Sequence, residues 1–247
     1  MEAELRGKVV LVTGGARRVG KGIALGFARA GAHVAIHHHA SPDEAATTAD
    51  EIRALGVRAW VVQADFSLRT EIAPAIEAAA AHFGRLDVLV NSASVFGSGD
   101  FLGLAADDWQ QSLDINLSAP FYATQAAARL MRQQETPGSI INIADNSGLH
   151  PWPKRPQHSV SKAGLIMLTQ VTAAALAPYQ IRANCIVLGP VLPSPGMSAE
   201  HWRGIEARLP LGHAGTVDDP ARAAVFLAAN DFITGALLHV DGGEGLS

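Results

Sequence analysis

The chain has 247 residues, of which 48% are hydrophobic and 17% charged, and its net charge is −4. This length fits one α/β domain, and the large apolar share excludes a disordered or fibrous protein. Without a basic excess, nucleic acid is not an expected partner. The lone Cys185 cannot form an internal disulfide, and neither a signal peptide nor a run of about 18 apolar residues is evident. We therefore expect a soluble, cytoplasmic protein with no membrane partner.

The apolar run at 8–13 predicts a buried strand, followed by a glycine-containing turn and a helical pattern that continues to Ala30. A second strand at 33–37 precedes a helix that starts near Ser41. The alternation then repeats. Further strands are predicted at 58–63, 86–90, 139–144, 181–187 and 236–240. Further helices are predicted at 68–83, 107–134, 156–177 and 218–229.

This order predicts the α/β class, with one doubly wound Rossmann-type domain over residues 1–247. Its seven-stranded parallel sheet would be flanked by helices on both faces. The stretch 189–210 is rich in glycine and proline. It is a candidate lid over a substrate, or else a plain surface excursion.

The turn after the first strand reads Thr-Gly-x-x-x-Arg-x-Gly from Thr13 to Gly20. A turn at this place in a doubly wound sheet can bring backbone N–H groups and a helix N-terminus to the pyrophosphate of a dinucleotide. The familiar Gly-x-Gly-x-x-Gly pattern is absent. An ordinary tight turn therefore remains the alternative.

Further motifs extend this pattern along the chain. They are Asp65 after the third strand, Asn-Ser-Ala-Ser at 91–94, Asp-Ile-Asn-Leu around Asn116, Ser-Lys-Ala at 161–163 and Val-Asp-Gly-Gly at 240–243. Together they resemble the short-chain dehydrogenase/reductase superfamily over nearly the whole chain. Two details are most similar to pteridine reductases and bacterial dihydropteridine-reducing members. These are Arg18, where a glycine is usual, and the His-rich run 37–39 shortly before Ser41.

The resemblance implies a nicotinamide cofactor, and the end of the second strand points to NADP(H). A carboxylate there would bind the ribose 2′-hydroxyl of NAD(H) and repel a 2′-phosphate, but none is present. Arg17, Arg18, His39 and Ser41 supply charge and donors instead, although Ala40 stands where the related pattern has Arg. A metal at His37–His39 is disfavoured, because adjacent strand residues point to opposite faces. The implied cofactor contacts are Gly14, Arg17, Arg18, Val19, Gly20, His39, Ser41, Asp65, Asn91, Ala93, Lys162 and Gly189.

The catalytic pattern departs from the family at one position. Members carry Tyr four residues before the active-site Lys, whereas His158 stands four residues before Lys162, and the only tyrosines are Tyr122 and Tyr179. By resemblance, Lys162 would hold the nicotinamide ribose. An imidazole can donate a proton, so His158 is the predicted acid. The alternative is a protein that binds the cofactor without turnover.

Three residues suggest the substrate. Asp145 stands where pteridine reductases carry Asp, so it could stabilise a protonated His158 and accept hydrogen bonds from a pterin; a turn-capping role is the alternative. Phe96 would stack on a flat ring, or else pack into the core. Ser94 would lie near both cofactor and substrate. By resemblance, Asn116 would hold a water molecule that links Lys162 to solvent.

The expected activity is thus NADPH-dependent hydride transfer to a C=N or C=O group, with a pterin-like heterocycle as the favoured substrate. A 3-oxoacyl thioester or small ketone is the second choice. A hydrolase using Ser94 or Ser147 with His158 and Asp145 is disfavoured, because no Gly-x-Ser-x-Gly elbow is present. The resemblance also implies a homotetramer, joined through the helices at 107–134 and 156–177.

Overall fold

A computed structural model describes residues 5–246, and its central sheet has seven strands in the order β3-β2-β1-β4-β5-β6-β7. Every neighbouring pair is parallel. The strands are β1 (Val9–Val12), β2 (His33–His38), β3 (Ala59–Gln63), β4 (Val88–Asn91), β5 (Gly138–Asp145), β6 (Ile181–Leu188) and β7 (Leu237–Val240). The predicted doubly wound α/β fold is confirmed, and each predicted strand is present.

The helices connect these strands. They are α1 (Arg18–Arg29), α2 (Pro42–Ala54), α3 (Arg69–Phe83), α4 (Ala106–Leu113), α5 (Ala119–Gln133), α6 (Pro156–Leu176), α7 (Ala199–Glu206) and α8 (Asp218–Ala229). The single helix predicted at 107–134 is wrong in one respect, because a π-helical turn at Asp114–Ser118 divides α4 from α5. Helix α7 was not expected, because its eight residues lie within the stretch 189–210, which is rich in glycine and proline.

The strands bury side chains on both faces of the sheet. All four residues of β1 are 0% exposed; Val9 and Leu11 pack toward α3 and α5, whereas Val10 and Val12 pack toward α1, α2 and α8. Adjacent strand residues point to opposite faces, so a continuous apolar run is what a sheet covered on both sides requires. Each such buried valine contributes about 1.5–3 kcal/mol.

The strand order reverses between β1 and β4, which places a crevice at their carboxyl ends. The Thr13 hydroxyl joins the two strands there. Its oxygen accepts hydrogen bonds from the backbone N–H groups of Ser92 at 2.9 Å and Ala93 at 3.0 Å. The glycine turn and the Asn-Ser-Ala-Ser segment therefore lie side by side.

Helix α6 carries the predicted catalytic residues His158 and Lys162 along one side of the sheet. With the turn that follows, Pro156–Tyr179 is long and apolar enough to cross a membrane by length and composition, with a mean hydropathy of 1.4. The helix packs against β5 and β6, and Leu165 and Ile166 are buried. The core helix of a globular protein meets the same criterion, so this feature is weak evidence for a membrane span.

Candidate active site

A cleft of about 470 Å³ opens at the reversal point of the sheet. Most of the predicted cofactor contacts line it, and they come from four separate segments. These lining residues are Gly14, Arg17, Arg18, Val19, Gly20, His39, Ser41, Asp65 and Ala93, together with the predicted substrate residue Ser94. The fold therefore brings these sequence motifs into one cavity.

The floor of the cleft needs two glycines. Gly14 has a φ of +64°, and a Cβ added there would lie 2.9 Å from the Ala93 Cα atom. A Cβ on Gly20 would lie only 2.2 Å from the Gly14 carbonyl oxygen. Side chains at these positions would collide with the backbone and displace the turn beside the start of α1, which is where a pyrophosphate would lie.

The N-terminus of α1 fits an anionic group. No side chain caps this end, and no acidic residue lies in the first turn. The free N–H groups and the helix dipole therefore present partial positive charge to the cleft. These features, together with the glycine floor, fit the pyrophosphate of a dinucleotide cofactor.

Arg18 adopts an unusual backbone conformation at the start of this helix, with a φ of 54°. Its guanidinium Nη2 donates a hydrogen bond to the Pro193 carbonyl oxygen at 2.8 Å. Arg18 thus joins the glycine turn to the 189–210 segment. Arg17 is exposed beside it and also lines the cleft.

The other end of the cleft is built by β2 and its neighbours. The Gly14 N–H donates to His37 Nδ1 at 3.2 Å, and His37 Nε2 lies 3.0 Å from the Ala64 carbonyl oxygen. The carbonyl can only accept, so His37 carries its proton on Nε2. Burial is the main cause that lowers the pKa of His37 to about 4. A neutral imidazole therefore fixes the glycine turn, a role that the sequence did not indicate.

A second cluster lies where β5 ends and α6 begins. His158 Nε2 is 2.7 Å from Asp145 Oδ2, and their side chains are 1% and 19% exposed. Burial alone would raise the pKa of Asp145, but the His158 hydrogen bond and the Lys162 charge lower it to about 2. The Asp145 carboxylate is therefore ionised, and its Oδ2 accepts a hydrogen bond from His158 Nε2. Its other oxygen accepts from the Ser147 N–H and hydroxyl.

The second nitrogen of His158 also faces protein groups. Nδ1 lies 3.3 Å from the Val95 carbonyl oxygen and 3.4 Å from Asn116 Nδ2. A neutral ring would accept from the Asn116 amide, whereas a protonated ring would donate to Val95. Phe96 approaches the ring edge-on at 4.8 Å, and Trp152 stacks on it at 6.3 Å. The imidazole is thus enclosed on several sides.

Lys162 lies one turn along α6 from His158 and is buried. Its Nζ donates to the Ile143 carbonyl oxygen at 2.9 Å. Burial lowers the pKa of Lys162, while the Asp145 charge raises it. Asn116, in the π-helical turn, is 1% exposed and accepts from the Ser94 hydroxyl at 2.9 Å. Asp145, His158 and Asn116 are therefore joined by close polar contacts, and Lys162 interacts with Asp145 through its charge.

Three predicted cofactor residues do not line the cleft, namely Lys162, which is described above, Asn91 and Gly189. The Asn91 amide is buried and donates to Thr124 and Asn142 inside the fold. Gly189 lies at the end of β6, where an added Cβ would be 2.6 Å from the Asp241 Cα atom. Buried hydrogen bonds explain the asparagine at position 91, and close packing explains the glycine at position 189.

The hydrolase alternative does not assemble in the described residues. The Ser147 hydroxyl donates to Asp145, and the Ser94 hydroxyl donates to Asn116 and Val95, so neither is hydrogen-bonded to His158. A nucleophile needs contact with the base that activates it.

Two nearby residues escaped the sequence analysis. Besides Trp152, Arg155 places its guanidinium 3.8 Å from the centroid of the Phe96 ring and donates to the Phe96 and Gly97 carbonyl oxygens. The Pro-Trp-Pro-Lys-Arg segment before α6 was a usable signal, because an aromatic and a cation precede the catalytic motif.

Comparison with known proteins shows the family of the chain. A family model described as enoyl-(acyl carrier protein) reductase matches residues 14–244. The chain belongs to the short-chain dehydrogenase/reductase superfamily. An L-rhamnose-1-dehydrogenase from Scheffersomyces stipitis is 36% identical over 254 residues, which cover 98% of each chain.

Solved structures give the same result. A blue fluorescent protein from a metagenomic library, in complex with NADPH, is 34% identical with a TM-score of 0.89, covering 97% of this chain and 98% of that one. The acetoin dehydrogenase YohF from Salmonella typhimurium is 31% identical with a TM-score of 0.90, covering 97% of both chains. The predicted superfamily and cofactor, NADP(H), are confirmed. The closer likeness to pteridine reductases stays a prediction.

Proposed function

We propose that this short-chain oxidoreductase transfers hydride between NADP(H) and a C=O or C=N carbon, with the Asp145–His158 pair handling the proton. The observation that carries the proposal is the 2.7 Å contact of this pair, placed beside Lys162 and the cofactor cleft. The nicotinamide supplies or accepts the hydride when bound. All other roles fall to the chain itself.

Each polar residue has a part in this proposal. The ionised Asp145 fixes the proton of His158 on Nε2, which faces the carboxylate. Through this hydrogen bond the pair can hold a proton for the substrate heteroatom. Lys162 adds positive charge and would hold the nicotinamide ribose. Asn116 positions the loop at Val95 by accepting from its N–H at 2.9 Å and donating to its carbonyl oxygen at 3.1 Å.

A pterin-like heterocycle is the favoured substrate. Phe96 is 46% exposed beside His158, and Arg155 covers one face of its ring. The other face would stack on a flat heterocycle. Asp145 and Ser94 would then accept and donate hydrogen bonds at the ring edge.

A small polyol or hydroxyketone is the second candidate substrate. The similar rhamnose and acetoin dehydrogenases support it, since rhamnose is a sugar and acetoin is a small hydroxyketone. Such a substrate would use the polar groups of the site and would gain little from stacking on Phe96.

Binding of NADP(H) without turnover is a second candidate function. The observation in its favour is the 1% exposure of His158, whose two ring nitrogens both face protein atoms. For His158 to reach a substrate, Phe96 or Asp145 would have to move aside.

Single-turnover oxidation of NADPH, followed by its absorbance, separates these candidates. The panel is a dihydropterin, a small ketone and, for the reverse direction with NADP⁺, an aldose. Loss of most pterin turnover in Phe96→Ala, with ketone turnover retained, would support the heterocycle; the opposite pattern would exclude it. His158→Ala should stop the chemical step while NADPH still binds. A silent parent that gains turnover in His158→Tyr would establish the binding protein.

The remaining expectations belong to the same proposal. We expect residues 189–210 to act as a lid over the substrate, supported by the Arg18–Pro193 contact. We also expect a homotetramer, because α5 and α6 expose Phe121, Met167 and Val171 by 43%, 58% and 56%. Sedimentation of Met167→Glu should show smaller species than the parent. The cytoplasmic location stays a prediction.

A further inference from the structure

The adenosine end of the cleft has an unusual set of charged groups. Three consecutive histidines line it, and the described lining contains no lysine. Of the two arginines in the lining, Arg18 already donates to the Pro193 carbonyl oxygen. Two carboxylates, Glu44 and Asp65, line the same cavity. A dianionic 2′-phosphate would therefore meet few permanent cations there.

The three histidines differ in access. His37 is 3% exposed, with both ring nitrogens in contact with backbone groups, and its pKa is lowered to about 4 by burial above all. His38 is 5% exposed, accepts from the Ser41 N–H, and has a pKa lowered chiefly by burial. His39 has a side chain that is 63% exposed. Only His39 offers an accessible imidazole to a ligand in the cleft.

The titratable and charged groups that line the cleft with His39 come from four segments. Asp65, after β3, places Oδ2 at 3.6 Å from His39 Nε2. The Ser67 hydroxyl is the main cause that lowers the pKa of Asp65, so this group is a carboxylate near neutral pH. This carboxylate competes with a phosphate for the His39 ring. The other facing groups are Glu44 on α2, His37 and His38 on β2, and Arg17 and Arg18 at the glycine turn.

We propose that His39 makes the choice between NADP(H) and NAD(H) depend on pH, with the stronger preference for NADP(H) in mildly acidic solution. Histidine is the side chain whose ordinary charge change falls between about pH 5 and 8. A protonated His39 would add a charge-assisted contact to the 2′-phosphate, and the neutral ring would lose it. A phosphate monoester takes up a proton near pH 6, so the preference peaks close to that value and declines above it. The inference rests on NADP(H) as the cofactor.

Two nucleotides that differ only by the 2′-phosphate provide the test. Adenosine 2′,5′-bisphosphate and adenosine 5′-monophosphate are titrated into the full chain by calorimetry at about pH 6.5, 7.5 and 8.5, where the free 2′-phosphate stays mainly dianionic. The ratio of their affinities should fall about tenfold across this range, the value of one charge-assisted contact. A ratio that is constant with pH would overturn the proposal.

Three variants assign the effect. His39→Gln should lower the ratio of the two affinities at acidic pH and remove its pH dependence. His39→Arg should keep this ratio high at all three pH values. Glu44→Gln is the matched control: it removes a repelling charge, so the ratio should rise at every pH with the slope unchanged. A parent-like slope in His39→Gln would overturn the assignment. If neither nucleotide binds at any pH, the cofactor assignment fails and this inference with it.

Discussion

Replacement of Asp145 by Asn should destabilise the fold in a way that depends on pH. The substitution keeps the size of the side chain and removes the charge that faces His158 at 2.7 Å. In the folded protein the pKa of this carboxyl lies at about 2, against an ordinary 3.8. At about 1.4 kcal/mol per pKa unit, the ionised form adds about 2 kcal/mol to the free energy of unfolding.

The sign follows from a depressed pKa. The contribution is fully present above the unfolded value of 3.8 and is lost as pH falls through the folded value of about 2. Urea denaturation near pH 7 should therefore show Asp145→Asn to be less stable by about 2 kcal/mol, with the difference shrinking below about pH 4. Asp50→Asn is the control, because that carboxylate is 76% exposed in its pair with Arg53 and should matter little at any pH.

One outcome would refute this reasoning: a difference between parent and Asp145→Asn that is the same at every pH. The loss would then come from the changed shape of the turn and not from the charge.

The Asp145→Asn variant should also slow turnover, since the amide no longer places a negative charge beside His158. Unchanged turnover would remove Asp145 from the proton-handling pair.

Three further predictions concern the cofactor turn and the core. Arg18→Gly should raise the free energy of unfolding by about 1 kcal/mol, because glycine tolerates the positive φ, yet calorimetry should show weaker NADPH binding. Gly20→Ala should cost about 1–3 kcal/mol and abolish NADPH binding, since its Cβ would overlap the Gly14 carbonyl oxygen. Gly204→Ala, with nothing within 4 Å, is its control and should be neutral or slightly stabilising by thermal denaturation. Met131→Ala, at a site 0% exposed, should cost about 2–5 kcal/mol in urea and leave the NADPH affinity of the folded protein unchanged.

The sequence by itself determined the order of the strands and helices. Runs such as Val9–Val12 are apolar throughout. Such a run is typical of a strand whose two faces are both covered by helices. Glycines close the turns, so the alternation of elements follows from local pattern and connection rules. The strand-turn-helix pattern also indicated the cofactor turn after β1. The resemblance to the short-chain dehydrogenase/reductase superfamily, and not local pattern, indicated Asp145, His158 and Lys162.

The local sequence pattern did not predict two features of the fold, helix α7 and the π-helical turn. Helix α7 has only eight residues, buries none of them fully and lies within the glycine- and proline-rich stretch 189–210. The π-helical turn around Asn116 follows from what this side chain contacts, namely Val95, Ser94 and residues of α6. The spacing of residues within 107–134 does not predict this break in the helix, because these groups that Asn116 contacts lie in other segments of the chain.

Only the tertiary structure decided what each functional group faces. Arg18 was expected to serve a phosphate, yet it donates to Pro193, which is 175 positions along the chain. His158 was expected to present a proton to a substrate, yet Asp145, Phe96 and Trp152 enclose it. Hydrogen bonding and burial depend on which distant segments pack together. The periodicity of a sequence predicts helices and strands, but it does not predict the distances between side chains of different segments.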